Sequence, residues 1–411
     1  MVYCFYTQGV RMRVVGVIAE YNPLHNGHIY HLERAKALSN ADFCIVVLSG
    51  NFVQRGEAAC MDKYTRAGWA VKAGADLVLE LPSVYAVASA ERFALGGVRT
   101  LLSAGVVTDL AFGCEATDVE TLYRLCEVLV SEPPSFRSAL HRHLSMGKSY
   151  PRARYDALAD IGVPEDMLLA LTQPNNILAI EYLRALGTYA PEIRPVPVTR
   201  IGGGYHTETL TGTYSSASAI RKALLSGDES VLDAMPSFVG GAMLYDPQFP
   251  IRPEAVGPLV LYAIRSMSAK SLAELPDVSE GFENILARAA RKCETLDAFY
   301  ESVKSKRFTL ARCRRIGLCA MLGITNEQVH STVRDNRSEY LKVLAMASGA
   351  RSLLSEIAKR PHAPLILRNA DIPACPAILQ RNLTTDAFST DVLAIATQNE
   401  MHRDSEGPLI L

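Results

Sequence analysis

Six apolar residues, Val14 to Ala19, give way to a polar turn at Glu20, and a helical pattern then runs from about Ile29 to Leu38. A short buried strand feeding a helix through one tight loop is the local signature of an α/β layer. The loop itself reads Glu20, Tyr21, Asn22, Pro23, Leu24, His25, Asn26, Gly27, His28. At the mouth of such a unit, backbone N–H groups and the positive end of the helix dipole favour an anion. Two imidazoles stand there, three residues apart, with Gly27 between them. Lacking a Cβ, Gly27 lets a phosphate come close to the backbone.

Two other readings of the same histidines compete. His25, His28 and His31 recur every three residues, so they could ligate zinc from one helical face or be ordinary solvated histidines. A catalytic zinc site wants a further carboxylate or histidine at a fixed offset and an open coordination position. His-Glu-x-x-His is absent, and Gly27 and the preceding strand have no job in the metal reading. The phosphate-binding reading is therefore preferred and no metal ligand is assigned. His31, about a turn further into the helix, reads as structural on these grounds.

The pattern then repeats. Phe43–Leu48 is a second buried strand, followed by a polar loop from Ser49 to Glu57 and a helix from about Asp62 to Ala73. Leu77–Leu81 is a third strand, Ala88–Ser103 a helix, and Val107–Phe112 a fourth strand ending at Gly113. Strands alternating with helices imply a parallel sheet with right-handed crossovers, and ligands collect beyond the carboxyl ends of its strands. The loops at 22–28, 49–57 and 112–115 all fall there. No dinucleotide fingerprint or Walker loop is present, so the phosphates must be held otherwise. Helical patterns fill 117–185, Ile193–Val198 is extended, and Arg200–His206 is a glycine-rich turn. Pro and Gly crowd residues 235–258, which mark a boundary. Beyond it the chain reads as largely helical to about 359, then mixed, with loose final residues. The expected organisation is an N-terminal extension (1–12), a part that carries the anion site (13–235) and a mainly α-helical part (236–411).

A chain of 411 residues fits two domains, and a net charge of −1 argues against wholesale coating of nucleic acid while allowing a local basic face. Nine scattered cysteines without Cys-x-x-Cys read as reduced thiols of a cytoplasmic protein. Neither a membrane span nor a secretory signal is expected.

A second anion cradle is legible at Tyr214–Lys222. Ser216 or a neighbour can cap a helix there, Ser218 adds a hydroxyl, and Arg221 lies about a turn further in. Alone the segment would be a cap and a surface arginine; paired with the histidine motif it becomes phosphate-binding. Arg200 is a further candidate. Asn175 and Asn176 could bond a ribose or adenine edge, and Gly113 could let either lie against the backbone. Gln54, Arg55 and Glu57 face the same site. In the C-terminal part, Arg288, Arg291, Lys292, Lys304, Lys306, Arg307, Arg312, Arg314 and Arg315 cluster, with Tyr300 and Phe308 interleaved. Such cations can track a phosphate backbone and aromatics can stack on unpaired bases, or the segment is a pair of solvated amphipathic helices.

His-x-Gly-His after a strand is how one large superfamily of nucleotidyl transferases and class I synthetases holds ATP, with a Ser/Thr-rich loop closing over the β- and γ-phosphates. The runs Glu20–His31, Ser49–Glu57, Asp76–Pro82, Phe112–Gly113, Pro174–Leu178, Arg200 with Tyr205 and His206, Ser215–Lys222 and Lys304–Thr309 with Arg312 and Arg315 together resemble the bacterial tRNA(Met) cytidine acetate ligases. The likeness spans about Val14 to beyond Ala350. The N-terminal extension and Gln173, where Lys is more usual, depart from it.

The resemblance implies a Rossmann-like parallel sheet followed by a mainly helical domain. It also implies activation of acetate by ATP to acetyl-adenylate, and transfer of acetyl to the wobble cytidine of elongator tRNA(Met), giving N4-acetylcytidine; Mg²⁺ is expected to screen the phosphates, as in most such transfers. On it, His25 and His28 are catalytic. Ile18, Ala19, Glu20, Tyr21, Asn22, Pro23, Leu24, His25, Asn26, Gly27, His28, Ile29, Tyr30, His31, Gly113, Asn175, Asn176, Arg200, Ser216, Ser218 and Arg221 contact ATP, and Lys304, Lys306, Arg307, Arg312 and Arg315 meet tRNA. The rival expectations are a small-molecule adenylyltransferase of the same superfamily, which needs no basic helical half, and a non-catalytic RNA-binding protein, which binds tRNA without releasing pyrophosphate.

Overall fold

A computed structural model describes residues 12–115, 119–201, 209–245, 249–335, 338–360 and 362–411. The expected extension, apart from Met12, and the turn residues Tyr205 and His206 lie outside these.

The strands are β1 (Val14–Ala19), β2 (Phe43–Ser49), β3 (Phe52–Val53), β4 (Glu57–Ala58), β5 (Leu77–Leu81), β6 (Asp109–Cys114), β7 (Arg194–Thr199), β8 (Leu341–Met346), β9 (Leu365–Ile366) and β10 (Leu409–Ile410). Among the described residues one eight-stranded sheet runs β10-β8-β5-β2-β1-β6-β7, with β9 beside β8. From β5 to β7 every pairing is parallel, and Val17, for instance, faces Val46 on one side and Ala111 on the other. Side chains alternate between two cores. Val14, Ile45, Val47, Leu79 and Leu110 pack on one face with the helices Ala90–Ser103 and Pro174–Tyr189. Val15, Val17, Val46, Leu48 and Ala111 pack on the other with Asn26–Ser39 and Lys63–Lys72. Burial on both faces is why these strands are written in continuous apolar residues. At the free edge, Pro195 and Pro197 in β7 withhold N–H groups and blunt further pairing.

Sequence order reverses about β1, with β2 on one side and β6 on the other. That switch point opens a crevice beyond the carboxyl ends of the two strands.

Three expectations need correction. The stretch expected to be largely helical to about 359 also contains a strand, β8, antiparallel to β5; its six residues, all buried, are too few to tell a core strand from a core helix by periodicity. The final residues are not loose: Leu409 and Ile410 pair with Ala345 and Met346. The polar loop after β2 is a hairpin, with Val53 opposite Glu57. The region after 236 is mainly helical, yet through β8 and β10 it completes the sheet begun by β1.

Candidate active site

The crevice holds a cavity of about 380 Å³. Its floor is the loop after β1, its walls are the ends of β6 and β7, the helix starts at Pro174 and Ala217, and the tip of the β3–β4 hairpin.

His25 is the N-cap of the Asn26–Ser39 helix, and its Nδ1 accepts from the Gly27 N–H at 3.1 Å. His28, at the third helical position, accepts from the His25 N–H at 3.3 Å through its own Nδ1. The two histidines thus form a reciprocal capping box, a role usually filled by Ser or Thr with Glu. Their rings stack with centroids 3.7 Å apart. A Cβ on Gly27 would sit 2.9 Å from the His25 ring, so the glycine makes room for the stacked imidazole as well as for a ligand. Burial first, then Arg200 and Arg221, push His25 down to about 3. Burial, His25 and Arg200 hold His28 well below the ordinary range. Burial lowers His31 to about 4, and its Nε2 is buried without a partner. Both capping rings are therefore neutral at pH 7. With Nδ1 accepting, each carries its proton on Nε2 as a donor.

The loop is fastened from behind. Arg66, fully buried, donates to the carbonyls of Glu20 at 2.7 Å, Ser49 at 3.1 Å and Met61 at 2.9 Å, and also to Gly50. Asn22 Oδ1 accepts from the Cys60 N–H at 2.8 Å, and Asn26 donates to the Asp233 carbonyl at 2.9 Å. Glu20 Oε1 accepts from the Gln54 N–H at 2.8 Å, and burial raises its carboxyl above the usual range against the pull of Arg221, Arg55 and Arg66.

The second cradle lies opposite. Ser216 is the N-cap of the helix Ala217–Ser226, and its hydroxyl lies 3.0 Å from that of Ser218. Arg221 donates to the Asn22 carbonyl at 2.6 Å, joining the two cradles across the chain. Asn175 accepts from Arg200 at 3.4 Å. Asn176, 2% exposed, turns away to accept from the Glu115 N–H at 2.8 Å, while the Glu115 carboxylate takes the Asn176 N–H at 3.1 Å.

Of the residues expected at this site, Ile18, Ala19, Glu20, Tyr21, Asn22, His25, Gly27, His28, Tyr30, His31, Gly113, Asn175, Arg200, Ser216, Ser218 and Arg221 line the one cavity. Pro23, Leu24, Asn26, Ile29 and Asn176 stand behind it. Two residues with no sequence signal, Arg66 and Glu115, hold the site from behind. Arg66 lies in a helix of mixed charged and apolar residues that carries no motif, and Glu115 has no spacing signal toward Asn176.

The basic segment divides. Lys304, Lys306 and Arg307 are exposed, with Lys304 paired to Glu301 at 2.6 Å and Arg307 to Glu280. Arg312 donates to the Asp277 carbonyl at 2.9 Å and lies over the Phe308 ring at 4.7 Å. Arg315, 15% exposed, lies 3.9 Å from the Asp277 carboxylate. Tyr300 and Phe308, expected among bases, are buried, and Phe308 stacks on Phe282 at 3.7 Å. Among the described residues no group of three His, Cys, Asp or Glu could hold a metal ion, and no helix is long and apolar enough to cross a membrane.

Residues 12–407 match the model of the HIGH nucleotidyl transferase family. The chain is 39% identical over 406 residues to a tRNA(Met) cytidine acetate ligase of Acetivibrio thermocellus, covering 95% of this chain and 97% of that one. It is 38% identical over 392 residues to the protein of the same name from Caldanaerobacter subterraneus subsp. tengcongensis, covering 94% and 96%. Among solved structures, Thermotoga maritima TmcAL bound with alpha-thio ATP superimposes with a TM-score of 0.89 at 31% identity, over 97% of this chain and 100% of that one.

Proposed function

The chain belongs to the HIGH nucleotidyl transferase family, among the tRNA(Met) cytidine acetate ligases, and from that membership we propose how its residues carry the reaction. It is an ATP-dependent ligase. An acetate oxygen attacks the α-phosphorus, the bond to the β-phosphate oxygen breaks, and pyrophosphate leaves. The cytidine N4 then attacks the acetyl carbon, the C–N bond forms, the anhydride C–O bond breaks, and the amine loses a proton as AMP departs.

The observation that carries this reading is the pair of capped imidazoles. Two neutral Nε2–H donors, fixed by the helix start they close, bind the charge that develops on the α-phosphate without reorganising. Ser216, Ser218 and Arg221 hold the departing pyrophosphate, and Gly113, Asn175 and Arg200 take the nucleoside. The ATP phosphates and water would hold Mg²⁺, which would screen the phosphate charge. In this reading residues 13–235 activate acetate, and residues 236–411 hold the tRNA through Lys304, Lys306 and Arg307. Arg312 and Arg315 brace that surface through Asp277. The tRNA substrate sets the place of work in the cytoplasm.

The test is nucleoside analysis of elongator tRNA(Met) after incubation with the chain, ATP and acetate. N4-acetylcytidine that depends on both small molecules is expected. A tRNA left unmodified while a phosphorylated small molecule is adenylylated would favour the cofactor-making relatives instead.

A further inference from the structure

The tip of the β3–β4 hairpin is a shared wall. Val53, Gln54 and Arg55 line the active-site cavity, while the next two residues, Gly56 and Glu57, line a second cavity of about 580 Å³. That volume lies in the range of small-ligand sites, roughly 300–1,000 Å³. Arg55 and Gly56 are consecutive, so the chain passes from one lining to the other in a single step of about 3.8 Å between Cα atoms.

The second cavity has a mixed chemistry. Val260, Leu261, Leu296 and Leu318 give it apolar walls. Tyr262 lines it while remaining 73% exposed. Glu254, Glu294 and Asp297 stand exposed around its rim. Three carboxylates repel a phosphate and accept from N–H groups. The group that suits apolar walls, an open aromatic face and N–H acceptors is a nucleobase bearing an amino or imino N–H. Cations for phosphates stand in the wall and beside it; Arg314, paired with Glu57, is one that lines the cavity. Arg265, also lining the cavity, donates to the Ala290 carbonyl at 2.7 Å, at the end of the helix Phe282–Lys292 whose last turn carries Arg291 and Lys292.

We propose that this second cavity receives an unpaired base of the RNA substrate next to the acetylated cytidine, so that the hairpin tip separates two neighbouring bases. The inference rests on the ligase reading above. Tyr262 stacks on the base and the rim carboxylates accept from its edge.

The test measures binding of elongator tRNA(Met) by the full chain, its Tyr262→Ala variant and its Glu294→Gln/Asp297→Asn variant. Two synthetic tRNAs, each abasic at one nucleotide flanking the cytidine, are compared with the intact one. Acetate-dependent ATP–pyrophosphate exchange without tRNA is followed in parallel. Tyr262→Ala is expected to weaken the intact tRNA by roughly five- to a hundredfold, the loss of one base–aromatic stack. One abasic tRNA should be insensitive to it, the carboxylate variant should follow the same pattern, and exchange should be unchanged. Equal sensitivity of intact and both abasic tRNAs, or unchanged affinity throughout, overturns the second site while the ligase reading stands. No exchange from the unsubstituted chain overturns both.

Discussion

At the scale of single residues, two histidines cap a helix through Nδ1 and line the cavity, where the proposed reaction uses Nε2. These roles can be separated. Asn at position 25 keeps a cap acceptor but has no group at Nε2, so His25→Asn should retain the stability of the fold to within about 1 kcal/mol. Its acetate activation should fall by about 10²–10³, the cost of one preorganised donor; pyrophosphate release against a urea melt checks both. Protonation offers a second handle. His25 is held at about 3 against an ordinary 6.5, so between those values the unfolded chain binds more protons than the folded one. Its contribution is whole above about pH 6.5 and is lost as pH falls toward 3. His25→Asn should therefore show a shallower acid-side loss of stability, read from urea midpoints across that window. His25, His28, Ser216 and Arg221 were legible in the sequence because a strand, a glycine and a hydroxyl-rich helix start give them a context. Arg66 and Glu115 were not, because each acts through carbonyls or amides far along the chain (Glu20 from Arg66, Asn176 from Glu115) that no local pattern joins.

At the scale of elements, the β3–β4 hairpin matters more than its two-residue strands suggest. Gly56 at its tip has φ +80°, and a Cβ there would lie 2.6 Å from the backbone nitrogen of Arg315. Glu57 is paired with Arg314, and Gln54 in turn holds Glu20. The hairpin is thus pressed onto the helix Leu310–Leu322 on one side and the active-site loop on the other. Gly56→Ala should cost about 1–3 kcal/mol from backbone strain and overpacking together, measured by urea unfolding; an unchanged midpoint would mean that the tip is not clamped. The sequence placed Gln54, Arg55 and Glu57 near the site yet read the segment as a loop, since strands this short leave no alternation to detect. β8 was missed for the opposite reason: every residue in it is buried, so nothing alternates.

At the scale of the whole molecule, the two halves are joined by charge as well as by sheet. Lys63 Nζ lies 2.7 Å from Glu80 and 2.9 Å from Asp404, and Lys342 contacts the same two carboxylates. All four side chains are at most 4% exposed. Burial opposes charge on Lys63, yet Asp404 and Glu80 outweigh it and hold its ammonium above the ordinary range. Removing one partner leaves a buried charge short of its counter-ion, so Asp404→Asn should destabilise the fold by about 3–5 kcal/mol. The exposed Glu120–Arg124 pair is the internal comparison, and Arg124→Ala should change stability by under about 1 kcal/mol. Equal urea midpoints for the two variants would mean that the buried cluster does not tie the halves together. The alternation of strands and helices made the parallel sheet readable from 14 to 112. Its completion by residues 341–346 and 409–410 was not, because pairing across so long a separation leaves no mark on either segment alone.

The proposed reaction places the activation of acetate at the capping histidine pair. Pyrophosphate release from ATP tests it most directly, measured with and without acetate and elongator tRNA(Met), on the intact chain and on His25→Asn. Release that requires acetate, accompanied by N4-acetylcytidine and lost in the variant, is the predicted result. Acetate-dependent release by the folded variant at the intact rate would contradict the role given to His25, and no release from the intact chain would contradict the activation of acetate itself.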